Sequence, residues 1–186
     1  MEAFLVSTGI VALAEMGDKT QLLALILAVR FRKPIPIVLG IFVATIVNHG
    51  LAGALGAWLT QVLGPELLRW VLGASFIAMA VWMLIPDSID EEEESEAPRW
   101  GVFGTTVIAF FLAEMGDKTQ IATVMLAARF DAYVWVVAGT TLGMMLANVP
   151  VVYLGERMTR LVPMRVVHLA SALVFAVLGT LALLPS

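Results

Sequence analysis

The run Ala14-Glu15-Met16-Gly17-Asp18-Lys19-Thr20-Gln21 returns unchanged as Ala113-Glu114-Met115-Gly116-Asp117-Lys118-Thr119-Gln120, 99 residues later. The same offset pairs Arg30-Phe31 with Arg129-Phe130, Gly40 with Gly139, Gly56 with Gly155 and Pro86 with Pro185, without a gap. Eight identical residues in a row are not chance, so the chain is a duplication. Both copies lie in long apolar sequence. A membrane-spanning helix needs about 20 mostly apolar residues, and six stretches reach that length: 3–29, 35–60, 67–85, 101–128, 133–155 and 164–184. Each half holds three of them, an odd number, so the second half enters the membrane from the opposite side. The fold expected is an all-α membrane protein with six transmembrane helices, built as two inverted-topology repeats. Residues 1–86 form the first repeat and 100–186 the second, inverted one. An acidic cytoplasmic linker, 87–99, joins them.

Composition agrees. Of the 186 residues, 60% are hydrophobic and 14% charged, and the mean hydropathy is +0.94. Soluble chains run at roughly 45–50% apolar and about 25% charged, so the solvent for this chain is lipid. There are no cysteines, which removes disulfides, iron–sulfur clusters and thiolate zinc sites. A net charge of −4 argues against a nucleic-acid partner, which needs a basic surface.

Basic residues set the expected orientation. The loops after spans 1, 3 and 5 share one side and hold Arg30, Arg32, Lys33, Arg99, Arg157, Arg160 and Arg165, whereas the other side holds only Arg69 and Arg129. By the positive-inside rule the first side is cytoplasmic and both termini face outward. Trp58, Trp70, Trp100 and Trp135 fall near span ends, at headgroup depth. The first stretch lacks a basic n-region, is too long for a signal peptide and contains Glu15, Asp18 and Lys19, so it reads as a retained helix. The acidic run Asp87 to Glu96 reads as a disordered, solvated linker, and the ten methionines as packing residues.

The repeated motif is costly. A charged side chain at the bilayer centre costs at least about 2.5–3.5 kcal/mol. Glu15, Asp18, Lys19, Glu114, Asp117 and Lys118, left unpaired, would cost roughly 15 kcal/mol, as much as a whole domain's stability. They must face one another, water or an ion. On a continuous helix Glu15, Asp18 and Lys19 share one face, as do Glu114, Asp117 and Lys118. Gly17 and Gly116 permit close backbone approach or a local break there. Inverted repeats place a shared site at the bilayer midplane. Four carboxylates suit a hard divalent cation such as manganese, calcium or magnesium. With two lysines the cluster sums to −2, which one such ion neutralises. Without the ion the carboxylates repel and take up protons, a physical basis for exchange. The competing reading is that Glu15–Lys19 and Glu114–Lys118 are plain i,i+4 salt bridges.

Supporting candidates surround the motif. Thr20, Gln21, Thr119 and Gln120 offer neutral oxygens, but helical geometry turns Thr20 and Gln21 away from Glu15 unless the helix breaks. Interhelical hydrogen bonding is an equal reading for them. Asn48 and His49 lie mid-span, and the offset sets Asn148 opposite His49. His49 reads as a ligand or a relay, or, slightly ahead of those, as a polar residue satisfied by a neighbouring helix. Asn48 and Asn148 are weaker ligand candidates, and Thr45 and Ser75 are read as helix contacts.

The doubled Glu-Met-Gly-Asp-Lys-Thr, on the first and fourth of six spans with an acidic loop between, resembles the Gdt-type family of small membrane cation transporters. That family carries a duplicated E-x-G-D-[KR]-[ST] signature, and neither copy departs from it. The resemblance implies manganese export, or exchange of calcium and manganese for protons. It places the cation on Glu15, Asp18, Glu114 and Asp117, with Lys19, Thr20, Lys118 and Thr119 completing the motifs. The short, tail-free chain resembles the bacterial members, which implies the inner membrane and manganese(II) as cargo. The function expected is therefore a secondary transporter exporting manganese(II), with protons as coupling ion and no resident cofactor. A calcium/proton antiporter is the alternative, and a passive divalent-cation channel a more distant one. An intramembrane aspartyl protease using Asp18 and Asp117 is disfavoured, because the adjoining lysines hold both acids ionised where that chemistry needs a shared proton; no enzyme is expected. A homodimer stays open, since the sequence does not fix an oligomeric state.

Overall fold

The computed structural model describes residues 1–85, 100–155 and 164–184. The acidic linker and the basic residues Arg99, Arg157 and Arg160 lie outside them. The described residues form eight helices and no strand: α1 (Glu2–Glu15), α2 (Lys19–Phe31), α3 (Pro34–Val62), α4 (Pro65–Trp82), α5 (Gly101–Glu114), α6 (Lys118–Phe130), α7 (Tyr133–Leu154) and α8 (Met164–Leu183). Among them α3, α4, α7 and α8 are long and apolar enough to cross a bilayer. Residues 3–29 and 101–128, each expected as one helix, are each two. At about 1.5 Å per residue, a helix of 13 or 14 residues covers roughly 20 Å, short of the roughly 30 Å hydrocarbon core.

Both breaks have the same backbone. Met16 and Met115 are extended at φ −65°, Gly17 and Gly116 take φ +80° and +75°, and Asp18 and Asp117 are extended at φ −78° and −77°. A φ near +80° is open to glycine at little cost, so the sequence ends the helix where the glycine stands. Both following helices end alike too, at Arg32 and Asp131 in the left-handed region, again 99 residues apart.

Packing crosses between the halves. α1 lies along α7 and α5 along α3; α2 reaches α7, α6 reaches α3, and α4 pairs with α8. Small residues allow this. A Cβ on Gly143 would stand 2.7 Å from the Thr8 carbonyl oxygen, and one on Gly139 would run into the Phe4 carbonyl and Ser7, so α1 and α7 touch backbone to side-chain root. Gly40, the offset partner of Gly139, meets Thr106 of α5 in the same way. Phe76 and Phe175, also offset partners, stack with ring centroids 6.2 Å apart where α4 meets α8. The outer surface is apolar: Leu5, Val29, Ile35, Leu169 and Leu173 are each more than 60% exposed. The four tryptophans assigned to span ends are all exposed as well.

Gly139→Val should destabilise the protein by about 1–3 kcal/mol through overpacking. Gly9→Ala, inside α1 where an added Cβ meets nothing within 4 Å, should raise stability by about 0.5–1 kcal/mol. Thermal unfolding in detergent checks both.

Candidate cation site

The break brings the motif together. Asp18-Lys19-Thr20-Gln21 carries the spacing of a capping box, an acidic N-cap with glutamine three residues on. Gln21 folds back so that its Oε1 accepts the Gly17 amide at 3.0 Å, and Gln120 accepts the Gly116 amide at 2.7 Å. The glycine amide at each break is thereby satisfied. Neither Asp18 nor Asp117 spends its carboxylate on the helix cap.

With the helix broken, Thr20 swings toward Glu15. Its hydroxyl donates to Glu15 Oε2 at 2.6 Å and lies 3.5 Å from Asp18 Oδ2. Thr119 does the same in the second copy, at 3.0 Å from Glu114 Oε2 and 3.4 Å from Asp117 Oδ2. A hydroxyl has one proton to give, so the nearer glutamate receives it. The single-face helical stripe expected for Glu15, Asp18 and Lys19 is therefore corrected: the acids converge through a turn.

The two copies also meet each other. Carboxylate oxygens of Glu15, Glu114 and Asp117 all lie within 4.8 Å of one another, and all three residues are buried. Asp18 is outside that set, though buried and next to the Thr20 hydroxyl. Glu15 Oε1 and Glu114 Oε1 have no hydrogen-bond partner among the described residues. Lys19 Nζ stands 3.6 Å from Asp117 Oδ1, across the halves, with its side chain one-third exposed. Lys118 is buried and donates to the Ile85 carbonyl at 2.9 Å, its ammonium over the Trp82 ring.

Around this centre Gln21 Nε2 donates to the Ala147 carbonyl at 3.1 Å, and Gln120 Nε2 donates to Asn48 Oδ1. Asn148 donates to the Met144 carbonyl at 3.1 Å. His49 Nε2 lies 3.9 Å from Glu114 Oε2, both side chains wholly buried. Neither of its ring nitrogens has a hydrogen-bond partner among the described residues. His49 thus faces an acid of a neighbouring helix without a hydrogen bond to it. Sequence reasoning missed the pairing of Lys19 with the opposite copy and the threonine-to-glutamate bonds. The capping-box spacing just after a glycine was the available signal for the latter.

Bonds from a hard cation to oxygen run from about 2.0 Å for magnesium to about 2.6 Å for calcium, so two ligands of one ion stand at most about 5 Å apart. Glu15, Glu114 and Asp117 meet that limit across the duplication. Comparison with known proteins places the chain in a family. The family model described as "Divalent cation/proton antiporter GDT1" matches residues 3–91 and 102–186. The chain belongs to this family. It is 52% identical over 180 residues to a Vibrio cholerae protein named "Putative manganese exporter", covering 96% of this chain and 89% of that one. It is 29% identical over 194 residues to "GDT1-like protein sll0615" of Synechocystis, covering 94% and 93%. No solved structure matches the chain. The family is one of antiporters, not of enzymes, and the match together with the long apolar helices supports cation transport by a multi-pass membrane protein.

Thr20→Val should destabilise the protein by about 1 kcal/mol or more, since it leaves a buried carboxylate oxygen without its donor; Thr20→Ser should not. Gly116→Ala, at φ +75° with open space around it, should cost about 1–2 kcal/mol from backbone strain alone. Thermal unfolding of the three variants checks these values.

Proposed function

We propose that this chain exports manganese(II) from the cytoplasm in exchange for protons, by alternating access around a single cation site shared between its halves. The observation that carries this reading is the convergence of Glu15, Glu114 and Asp117, drawn from both copies, within 4.8 Å. Three buried carboxylates so close together repel unless a cation or protons offset their charge. A site that must hold one or the other is suited to exchange. Asp18 completes the acid set. Thr20 and Thr119 orient the glutamates, Gln21 and Gln120 hold the breaks, and Lys19 and Lys118 are tethered counter-cations. The 52% identity to a protein named for manganese export supports manganese as cargo.

In this reading the α1–α2 and α5–α6 pairs are the first and fourth of six spans, each broken at the site. Residues 100–186 then invert the topology of residues 1–86, with the linker on the cytoplasmic side and both termini outside. The paired backbone breaks, 99 residues apart, and the cross-packing of α1 on α7 and α5 on α3 support that arrangement.

In proteoliposomes a pH gradient should drive manganese(II) flux by the wild-type chain. Glu15→Gln and Glu114→Gln should each lower that flux at least about tenfold, equivalent to about 1.4 kcal/mol of cation binding. Full flux in both variants, with elution profiles unchanged, would reject the site.

A further inference from the structure

The acid cluster offers oxygen alone, and oxygen by itself discriminates poorly between manganese and calcium. The duplication is broken at adjacent buried positions beside it, where α3 carries Asn48-His49 and α7 carries Ala147-Asn148. His49 is wholly buried, and both its ring nitrogens lack hydrogen-bond partners among the described residues. An imidazole in a membrane core with neither nitrogen satisfied is costly unless something else meets it. Nε2 lies 3.9 Å from Glu114 Oε2. That is too long for a hydrogen bond, and for this one pair it is within the roughly 5 Å that two ligands of one ion can span; His49 stands at the edge of the site, outside the set of three acids whose oxygens all lie within 4.8 Å of one another. Asn148 differs: its amide nitrogen is held by the Met144 carbonyl and sulfur, at 3.1 and 3.0 Å, and only its oxygen Oδ1 is left over. The first half thus brings a borderline-soft nitrogen to the site where the second has a hard amide oxygen.

The geometry points to His49 Nε2 as a nitrogen ligand of the transported ion, the group that makes the site prefer a first-row transition-metal ion over calcium. Imidazole suits transition metals, whereas calcium takes oxygen ligands almost alone. This rests on the transporter reading above and adds a selectivity determinant to it.

The test uses the full chain in proteoliposomes with manganese(II) and calcium in competition. His49→Asn, which copies the second half's residue into the first, should shift the preference for manganese over calcium about tenfold toward calcium, while calcium flux persists. An unchanged ratio, or equal loss of both fluxes, would overturn the assignment. A ligand-specific readout stands beside it. Pulsed electron paramagnetic resonance of the manganese(II)-loaded chain, carrying 15N-labelled histidine, should show a directly bound nitrogen. That coupling should vanish in His49→Asn and survive in His168→Gln, the chain's other histidine, half-buried on α8. A manganese-loaded wild type without nitrogen coupling would likewise overturn it. Wild-type chain that binds manganese through nitrogen yet moves neither ion would sink the transporter reading and leave the ligand assignment standing.

Discussion

Carboxylates buried where lipid surrounds the protein set the terms for the rest of this structure. Glu15, Glu114 and Asp117 cannot be left facing one another without compensation. The fold responds at several levels. The helices break at glycine so that a threonine can reach each glutamate. Glutamines close the broken ends. Lys19 crosses to the acid of the other copy. The glycine break, the threonine bond and the glutamine closure are each present twice.

The scaffold follows from the same need. For two motifs 99 residues apart in sequence to share one centre, each half's broken helices must lie against the other half's long helix. Lipid supplies no hydrophobic drive between helices, so close approach depends on small residues. Gly139 and Gly143 give α1 its seat on α7, and Gly40 gives α5 its seat on α3. The apolar surface that remains faces outward, as a membrane requires.

Much of this was legible in the sequence. Repetition exposed the duplication, hydropathy gave the four long helices to within a few residues, and the cost of buried charge singled out the motif. What periodicity could not give was the turn. A window average over residues 3–29 sees one apolar run, because three residues of broken helix hardly change its mean. Once the turn is lost, Thr20 points the wrong way and Lys19 seems bound to its own Glu15. His49 is a related case: what meets a buried imidazole depends on neighbours from other helices, and no local pattern records them.

The proposal that a single ion is held jointly by both copies has a direct test. Anomalous diffraction from manganese-soaked crystals should show one peak, enclosed by Glu15, Glu114 and Asp117. Two separate peaks, each beside the acids of one copy alone, or none within the bundle, would contradict the account.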